Sequence, residues 1–371
     1  MAEKPRIALG MSGGVDSAVC AMLLMDAGYE VTGVTCQFLH DAASQAALAD
    51  AQAVCAQLGI PHIARDCKAA FAAAVVKPFV RDYAQGLTPS PCVSCNACCK
   101  MPSLIAAADD LGCESVATGH YARVVRHAER GRFVVKTALD AAKDQSYMLA
   151  QLSQAQLARL VLPLGGTTKP AVRIAAQEGG LSVAGKAESQ DACFIEGDYV
   201  DFLKAHGLPD EPGPIVNRAG DVLGTHKGLF RYTLGQRKGI GVAAHEPYYV
   251  VGKRPATREL VVGFKDEARI TGLQVGALRW MAFERLDRPL ECMVKLRYRS
   301  RPAPCRVTPS TNTTTPVALP CSTNTNSGEG RSSTATARVQ LLSPQATTAP
   351  GQFAVFYQGD TLLGSGIIQG L

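Results

Sequence analysis

Leu9-Gly10-Met11-Ser12-Gly13-Gly14-Val15-Asp16-Ser17 joins an apolar strand, Arg6 to Met11, to a helix predicted from Ser17 to Ala27 and closed by Gly28. Glycines let a backbone turn sharply and approach a ligand without a Cβ clash. Free N–H groups at the start of the next helix point at that ligand, and the helix dipole favours an anion. Ser12 and Ser17 add hydroxyl donors. Asp16 repels phosphate unless a cation sits between, so the stretch predicts a phosphorylated ligand with Mg²⁺. A Gly-Gly pair alone reads as an ordinary tight turn. The Ser-Gly-Gly-x-Asp-Ser composition, placed between strand and helix, outweighs that reading.

Outward from this loop, strand and helix signals alternate. Glu30 to Phe38 is a predicted strand. Gln45 to Leu58 is a predicted helix, with Ala47, Ala51, Val54 and Leu58 on one face and a stop at Gly59. Strand Ile60 to Ala64, helices Ala69 to Tyr83 and Ser103 to Leu111, and strand Glu114 to Thr118 follow. This order predicts an α/β fold with a doubly wound parallel sheet over residues 1–208. From about Pro209 glycines, prolines and short β-type runs replace helices. The expected units are a small β-rich domain, 209–269, and a barrel-like β-domain, 270–371. Within the latter, 17 of the 29 residues from Thr308 to Thr336 are Ser, Thr or Asn. Such a stretch cannot bury a core and is expected to be a flexible insertion in a hairpin.

The 371 residues are 47% apolar and 19% charged, which excludes a chain disordered as a whole. No apolar run approaches the ~20 residues that span a bilayer, and the first residues lack a signal-peptide core. A cytoplasmic location without a membrane partner is expected. The 13 cysteines are odd in number and unevenly spaced, which argues against a disulfide framework there. Cys20, Cys55 and Cys113 read as core residues, whereas Cys92, Cys95, Cys98 and Cys99 call for a chemical explanation. The net charge is +6, yet residues 1–150 carry 13 basic and 14 acidic side chains. Residues 215–260 carry 8 basic and 3 acidic ones, which points to a polyanionic partner.

The Ser-Gly-Gly-Val-Asp-Ser loop resembles the signature of the PP-loop ATP pyrophosphatases. It is not a Walker loop, because no Gly-Lys-Ser/Thr follows. Five further stretches narrow the resemblance: Thr88 to Asn96, Ala117 to Tyr121, Lys143 to Tyr147, Ala192 to Ile195, and Tyr232 to Gly239. In order and spacing they resemble the bacterial tRNA-specific 2-thiouridylases from Ile7 to Ile368, outside the Thr/Asn-rich insertion. The resemblance implies ATP-dependent 2-thiolation of the wobble uridine, position 34 of tRNA. The uracil C2 oxygen is adenylated, and persulfide sulfur replaces it.

The resemblance assigns ATP to Gly10, Met11, Ser12, Gly13, Gly14, Val15, Asp16, Ser17, Cys36 and Gly119. It assigns the persulfide to Cys193 and the resolving attack to Cys95. Cys95 precedes a predicted helix, whose N-terminus would lower its pKa. Expected tRNA contacts are Ser90, Pro91, Cys92, His120, Lys143, Asp144, Gln145, Arg237, Lys238, Arg297, Tyr298 and Gln352. Arg297, Arg299 and Arg301 alternate along a predicted strand and would present one basic face to phosphates. A persulfide-donating relay protein or a cysteine desulfurase is the implied sulfur source. Two departures stand out: Cys36 replaces an expected methionine, and Cys92 stands where many relatives have Asp. The Cys92-x-x-Cys95-x-x-Cys98 spacing suits iron–sulfur or zinc sites. A second scheme is therefore open, in which Cys92, Cys95 and Cys193 hold a [4Fe–4S] cluster. Another PP-loop adenylating enzyme and a non-catalytic RNA-binding protein with a cysteine metal site are the rival functions.

Overall fold

A computed structural model describes residues 4–187, 192–310 and 336–371. β1 (Arg6–Gly10), β2 (Glu30–Gln37) and β3 (His62–Asp66) alternate with α1 (Val15–Asp26) and α2 (Ala42–Leu58). The Asp41 carboxylate caps α2 by accepting the Ser44 N–H at 2.6 Å. Gly59 ends α2 in the left-handed conformation, φ 67°, at the stop expected from sequence.

Two long helical runs follow. α3 (Lys68–Phe71) passes through a π-helical turn, Ala72–Val76, into α4 (Lys77–Ala84). α5 (Pro91–Cys95) passes through a second π-turn, Asn96–Lys100, into α6 (Met101–Asp110). The sequence predicts the start of this second helix at Ser103. The structure starts it at Pro91, whose fixed φ and missing N–H suit a first turn.

β4 (Ser115–Ala117) pairs with β1, and β7 (Leu160–Val161) with β4, beyond the hairpin β5 (Ala122–Arg126) and β6 (Phe133–Thr137). The sheet order is β3-β2-β1-β4-β7, all parallel, as expected for a doubly wound fold. Chain order reverses beside β1, so a crevice opens past the C-terminal ends of β1 and β4, where such folds bind ligands.

The β-rich half also has the expected character. β8 (Gly213–Val216), β9 (Val222–His226), β10 (Tyr249–Arg254) and β11 (Glu259–Gly263) form a sheet ordered β10-β11-β8-β9. β12 (Arg269–Trp280), β13 (Leu290–Lys295), β14 (Ala303–Ser310), β15 (Thr336–Ala346), β16 (Phe353–Gln358) and β17 (Thr361–Gly370) close into a six-stranded barrel. Closure falls to β12, whose first half pairs with β15 and second half with β17. Its ladder breaks between Gly276 and Arg279, where Ala277 takes a positive φ of 47° and turns the corner. The β5–β6 hairpin, which the sequence did not reveal, meets the barrel edge at Lys136 and Thr361.

Residues 311–335, most of the expected insertion, lie outside the described residues. Its flanks, Ser310 and Thr336, pair across β14 and β15 as hairpin strands do. Cys20, Cys55 and Cys113 are core residues, at 0%, 1% and 4% exposure. Val93, Ala97, Met101 and Leu104 bury one face of the α5–α6 run in a cluster shared with Tyr147, Phe353 and Phe356. The cysteine-bearing helix is thus wedged between the parallel sheet and the barrel. Each such large side chain contributes roughly 1.5–3 kcal/mol of burial.

Candidate active site

The phosphate loop is held from within. The Ser17 hydroxyl accepts the Ser12 N–H at 3.2 Å and donates to the Gly14 carbonyl at 3.0 Å. Gly13 has φ 66°, and a Cβ there would sit 2.2 Å from the Ala47 carbonyl oxygen, so only glycine fits. Gly14 is the extended N-cap of α1, which directs the first-turn amides of Val15, Asp16 and Ser17 into the crevice. Gly119, past the end of β4, lies against that turn; a Cβ would meet Asp16 and Ser17 backbone atoms at 3.2 Å.

Two lysines reach this loop from far along the chain. Lys169, at the start of α7 (Lys169–Glu178), donates to Asp16 Oδ1 at 2.7 Å, and its side chain is only 8% exposed. The Tyr121 hydroxyl donates to the same oxygen at 2.8 Å. Lys186 donates to the Gly13 carbonyl at 2.9 Å and also pairs with Asp50. The sequence reading balanced Asp16 with a metal alone. In the fold an ammonium already does part of that work. Asp16 remains a carboxylate beside a phosphate loop, which fits a Mg²⁺ carried in on nucleotide phosphates, since that ion needs only one or two protein carboxylates.

The thiols lie on the other side of the crevice. Cys95 is the last residue of α5, inside a helical run, and not before a helix as the sequence suggested. A helix N-terminus therefore cannot be what activates it. Instead its thiol is held down to about 7 chiefly because Cys99, one turn on, donates its S–H to it, with help from Lys100 against the opposing effect of burial. Cys193 behaves in the opposite way. The residue is exposed, yet protein crowds its sulfur, and burial pushes the thiol up to about 11, with Cys95 adding to the rise. Cys92 is also exposed, in the first turn of α5, and its thiol is raised by burial.

Phe194 anchors the Cys193 segment by stacking edge-on against Phe71, Phe79 and Phe202 at 5.6, 5.2 and 5.3 Å. Such ring pairs contribute about 0.5–1.5 kcal/mol each. Cys36, at the end of β2, gives its thiol proton to Cys67, which Ser103 also supports, and Cys67 is lowered to about 6.

Lys100 joins the two sides. Its charge acts on Cys92, Cys95 and Cys193, on Cys36, and on His120. His120 follows Gly119, bonds Thr118 through Nδ1 at 2.7 Å, and is pulled down to about 3 by burial and by Lys100, so its ring is neutral.

The expected tRNA residues divide. Arg237 and Lys238 are exposed in a loop turned by Gly235 and Gly239, at φ 85° and 75°. Arg297 to Arg301 is not a strand: β13 ends at Lys295, and Ser300 folds the segment into a turn by donating to the Arg297 carbonyl at 2.9 Å. Its arginines radiate from a hairpin tip. Tyr298 there meets Tyr147 with tilted rings, 6.0 Å between centroids, and feels Asp144, Lys143 and Cys92, so the hairpin tip faces the cysteine helix. Asp144 and Gln145 engage the protein itself. Asp144 accepts from Ala138, Ser146 N–H and the Ser146 hydroxyl, and Gln145 accepts the Tyr121 N–H. Ser90 and Pro91 start α5. Gln352 donates to the Thr88 and Pro89 carbonyls.

A cluster fits these residues poorly as they stand. Among the described residues no three His, Cys, Asp or Glu side chains are arranged to hold a metal ion.

A glycine-rich anion loop at the switch point of a parallel sheet, followed by a small β-sheet and a closed barrel, defines an α/β nucleotide-loop protein with two β-rich appendages. Family models match this division. The tRNA methyl transferase HUP domain matches residues 5–197. The tRNA methyl transferase PRC-barrel domain matches 200–264, and the aminomethyltransferase β-barrel domain matches 270–323 and 329–368. The chain is 42% identical to the tRNA-specific 2-thiouridylase MnmA of Parasynechococcus marenigrum, over 98% of this chain and 90% of that protein. It is 40% identical to the same-named protein of Geobacter metallireducens, over 99% and 98% of the two chains. The chain belongs to the tRNA-specific 2-thiouridylase family. A solved U34-tRNA thiolase, NcsA from Methanococcus maripaludis, aligns with 54% of this chain and 64% of its own at 16% identity, with a TM-score of 0.35. That likeness says nothing about the cysteines here.

Proposed function

We propose that this protein is an ATP-dependent tRNA 2-sulfurtransferase that thiolates C2 of the wobble uridine, position 34. The observation that carries the reading is packing: the helical run that holds Cys92 and Cys95 lies against the glycine-rich loop, with the Leu104 side chain 3.5 Å from where a Gly10 Cβ would stand, and the charge of Lys100, in the same run, is felt by Cys36 and His120 as well as by Cys92, Cys95 and Cys193. Activation and sulfur delivery then share one crevice.

The loop Gly10 to Ser17, with Gly119 and Cys36, would hold ATP, with Mg²⁺ on Asp16. Helix-start amides favour the phosphate charge, and Lys169 and Lys186 flank it. The uracil C2 oxygen attacks the α-phosphorus and pyrophosphate leaves. The poor leaving oxygen has become AMP.

Sulfur arrives as a persulfide on Cys193, supplied by a relay protein or desulfurase. The Cys95 thiolate attacks the Cys193 sulfur, forms the Cys95–Cys193 disulfide and releases hydrosulfide. Hydrosulfide adds to C2, AMP departs, and an external thiol reduces the disulfide. A low-pKa attacker suits this step. Cys193 is loaded when its thiolate takes the outer sulfur of the donor's persulfide and the donor's thiolate leaves. Cys92 is a bystander in this scheme, and we derive no step through an iron–sulfur cluster. The target base must leave its stack to reach the thiols. Arg237, Lys238, Arg297, Arg299 and Arg301 would take the tRNA backbone.

The test is incubation with tRNA, MgATP and a persulfide donor. Nucleosides are read by mass spectrometry and nucleotides by chromatography. The expected products are one AMP and one pyrophosphate per 2-thiouridine. ADP with phosphate, or thiolation without ATP, would exclude the reading.

A further inference from the structure

The Asp16 carboxylate is held by one of its two oxygens. The Tyr121 hydroxyl at 2.8 Å and the Lys169 ammonium at 2.7 Å both donate to Oδ1. Among the described residues no protein group bonds Oδ2. An ionised carboxylate accepts at both oxygens, so Oδ2 is the atom left for a cation that arrives on nucleotide phosphates. The direction in which it faces is set by the two donors on Oδ1. Both donor residues are buried, and the Lys169 ammonium lies 5.8 Å from the centre of the Tyr121 ring.

One loop anchors the backbones of both donors. Gln145 clamps Tyr121 twice: its Oε1 accepts the Tyr121 N–H at 2.9 Å, and its own N–H donates to the Tyr121 carbonyl at 2.8 Å. Asp140 holds the start of α7, where its Oδ2 accepts the Lys169 N–H at 3.0 Å. The stretch between them is closed on itself. Asp140 accepts the Ala142 N–H through Oδ1 and the Lys143 N–H through its carbonyl, both at 3.1 Å. Asp144 accepts the Ala138 and Ser146 N–H groups at 3.1 and 3.2 Å. The same loop carries Lys143, Asp144 and Gln145, the expected tRNA contacts. With Oε1 turned to Tyr121, the Gln145 side-chain nitrogen has no partner among the described residues and is open to an RNA acceptor.

We propose that the loop Asp140–Gln145 couples tRNA docking to nucleotide binding, with Tyr121 and Lys169 the positioning residues through which it orients the Asp16 carboxylate. This rests on the reading of Gly10 to Ser17 as the nucleotide site and of Lys143 to Gln145 as a tRNA contact. The physical basis is shared order. A tRNA that fixes the loop also fixes the backbones of Tyr121 and Lys169, and with them the side of Asp16 that faces the cation. A nucleotide that arrives second has less of the protein to order and binds more tightly. Coupling between two sites is reciprocal, so a bound nucleotide strengthens tRNA binding by the same factor. The enzyme then holds MgATP firmly only when the uridine that it activates is present.

The experiment uses the full-length protein, Tyr121→Phe, which keeps the ring and loses the hydroxyl, and Asp140→Ala, which releases the start of α7. Binding of α,β-methylene-ATP with Mg²⁺, an analogue that cannot lose pyrophosphate, is measured by calorimetry with and without tRNA bearing uridine at position 34. Binding of that tRNA is measured with and without the analogue. In the parent each ligand should tighten the other about fivefold or more, and tRNA should slow hydrogen exchange of the Tyr121 amide. In both variants the coupling factor should fall to within about twofold of one, while tRNA alone binds within about twofold of the parent. Exchange of the Tyr121 amide should still slow in Tyr121→Phe, because the Gln145 clamp is intact. A variant that had lost its fold would lose tRNA binding too, so retained affinity shows that coupling alone has gone. No coupling in the parent, or an unchanged factor in Tyr121→Phe, would overturn the proposal. Weakening of tRNA alone by about tenfold in Tyr121→Phe would also overturn it and place Tyr121 in the tRNA site. A parent that binds no analogue or no tRNA would overturn the functional reading itself, whereas binding of both without coupling would remove only the role of the loop.

Discussion

The phosphate loop and the thiol site share a crevice but are built in opposite ways. Gly10 to Ser17 is one continuous stretch, tied by its own serines and by two lysines. The thiol site is assembled from α5 and from a separate loop. Its two partners are chemically unlike: Cys95 is lowered to about 7 while Cys193 is raised to about 11. The contrast suits the chemistry. Adenylation needs a fixed electrostatic cradle. Sulfur transfer needs an attacking thiol that ionises readily and a carrier thiol that a persulfide donor can reach from outside.

The largest expected effects break the contrast outright. Cys95→Ala and Cys193→Ala should each lower 2-thiouridine formation by at least about a thousandfold. Both should still convert ATP and tRNA to an adenylated intermediate, read by isotope exchange between pyrophosphate and ATP. Loss of exchange in either variant would mean that the two halves are not separable. Lys169→Met should do the reverse. It removes the buried cation 2.7 Å from Asp16, so pyrophosphate exchange should fall on the order of a hundredfold, with Cys95 alkylation unchanged. Part of that loss can be instability, because a half-buried carboxylate loses its partner at roughly 2 kcal/mol. Thermal unfolding separates the two contributions.

Next in size is tRNA binding. Arg297→Glu or Arg237→Glu should weaken it about tenfold and reduce the slope of log affinity against log salt by about one. An unchanged slope would show that the residue faces solvent in the complex. The smallest effect sharpens the contrast between the two thiols. Cys95 alkylation should rise with pH and level off above about pH 8, because a lowered pKa means that the thiolate is already formed there. Cys193 alkylation should still be climbing at pH 10. Lys100→Met should move the Cys95 midpoint upward, since a neighbouring cation that favours the thiolate is gone. Coincident midpoints for the two cysteines would contradict the assignment of roles.

The same contrast explains what could be read in the sequence. The phosphate loop was legible because its chemistry is contiguous, and Gly59 and the core positions Cys20, Cys55 and Cys113 because their signals are local. Lys169, Lys186 and Tyr121 were not, because they reach the loop from 105 to 173 residues away and carry no periodicity of their own. Lys100 was visible as a residue, but its position among five titrating groups exists only in the fold. The helix of Cys95 was read as starting too late. Pro91 stands in its first turn, where a proline's fixed φ and missing N–H are tolerated. Alternating arginines suggested a strand at Arg297 to Arg301, where Ser300 imposes a turn.

The most direct test of the central claim is a single turnover by enzyme freed of iron and loaded with persulfide on Cys193. Peptide mapping then counts disulfides, and nucleoside analysis counts 2-thiouridine. The account predicts one Cys95–Cys193 disulfide per 2-thiouridine, formed only when ATP and tRNA are both present, with Cys92 still a free thiol. Thiolation without that disulfide, or an iron-free enzyme that recovers only when iron and sulfide are restored, would contradict it.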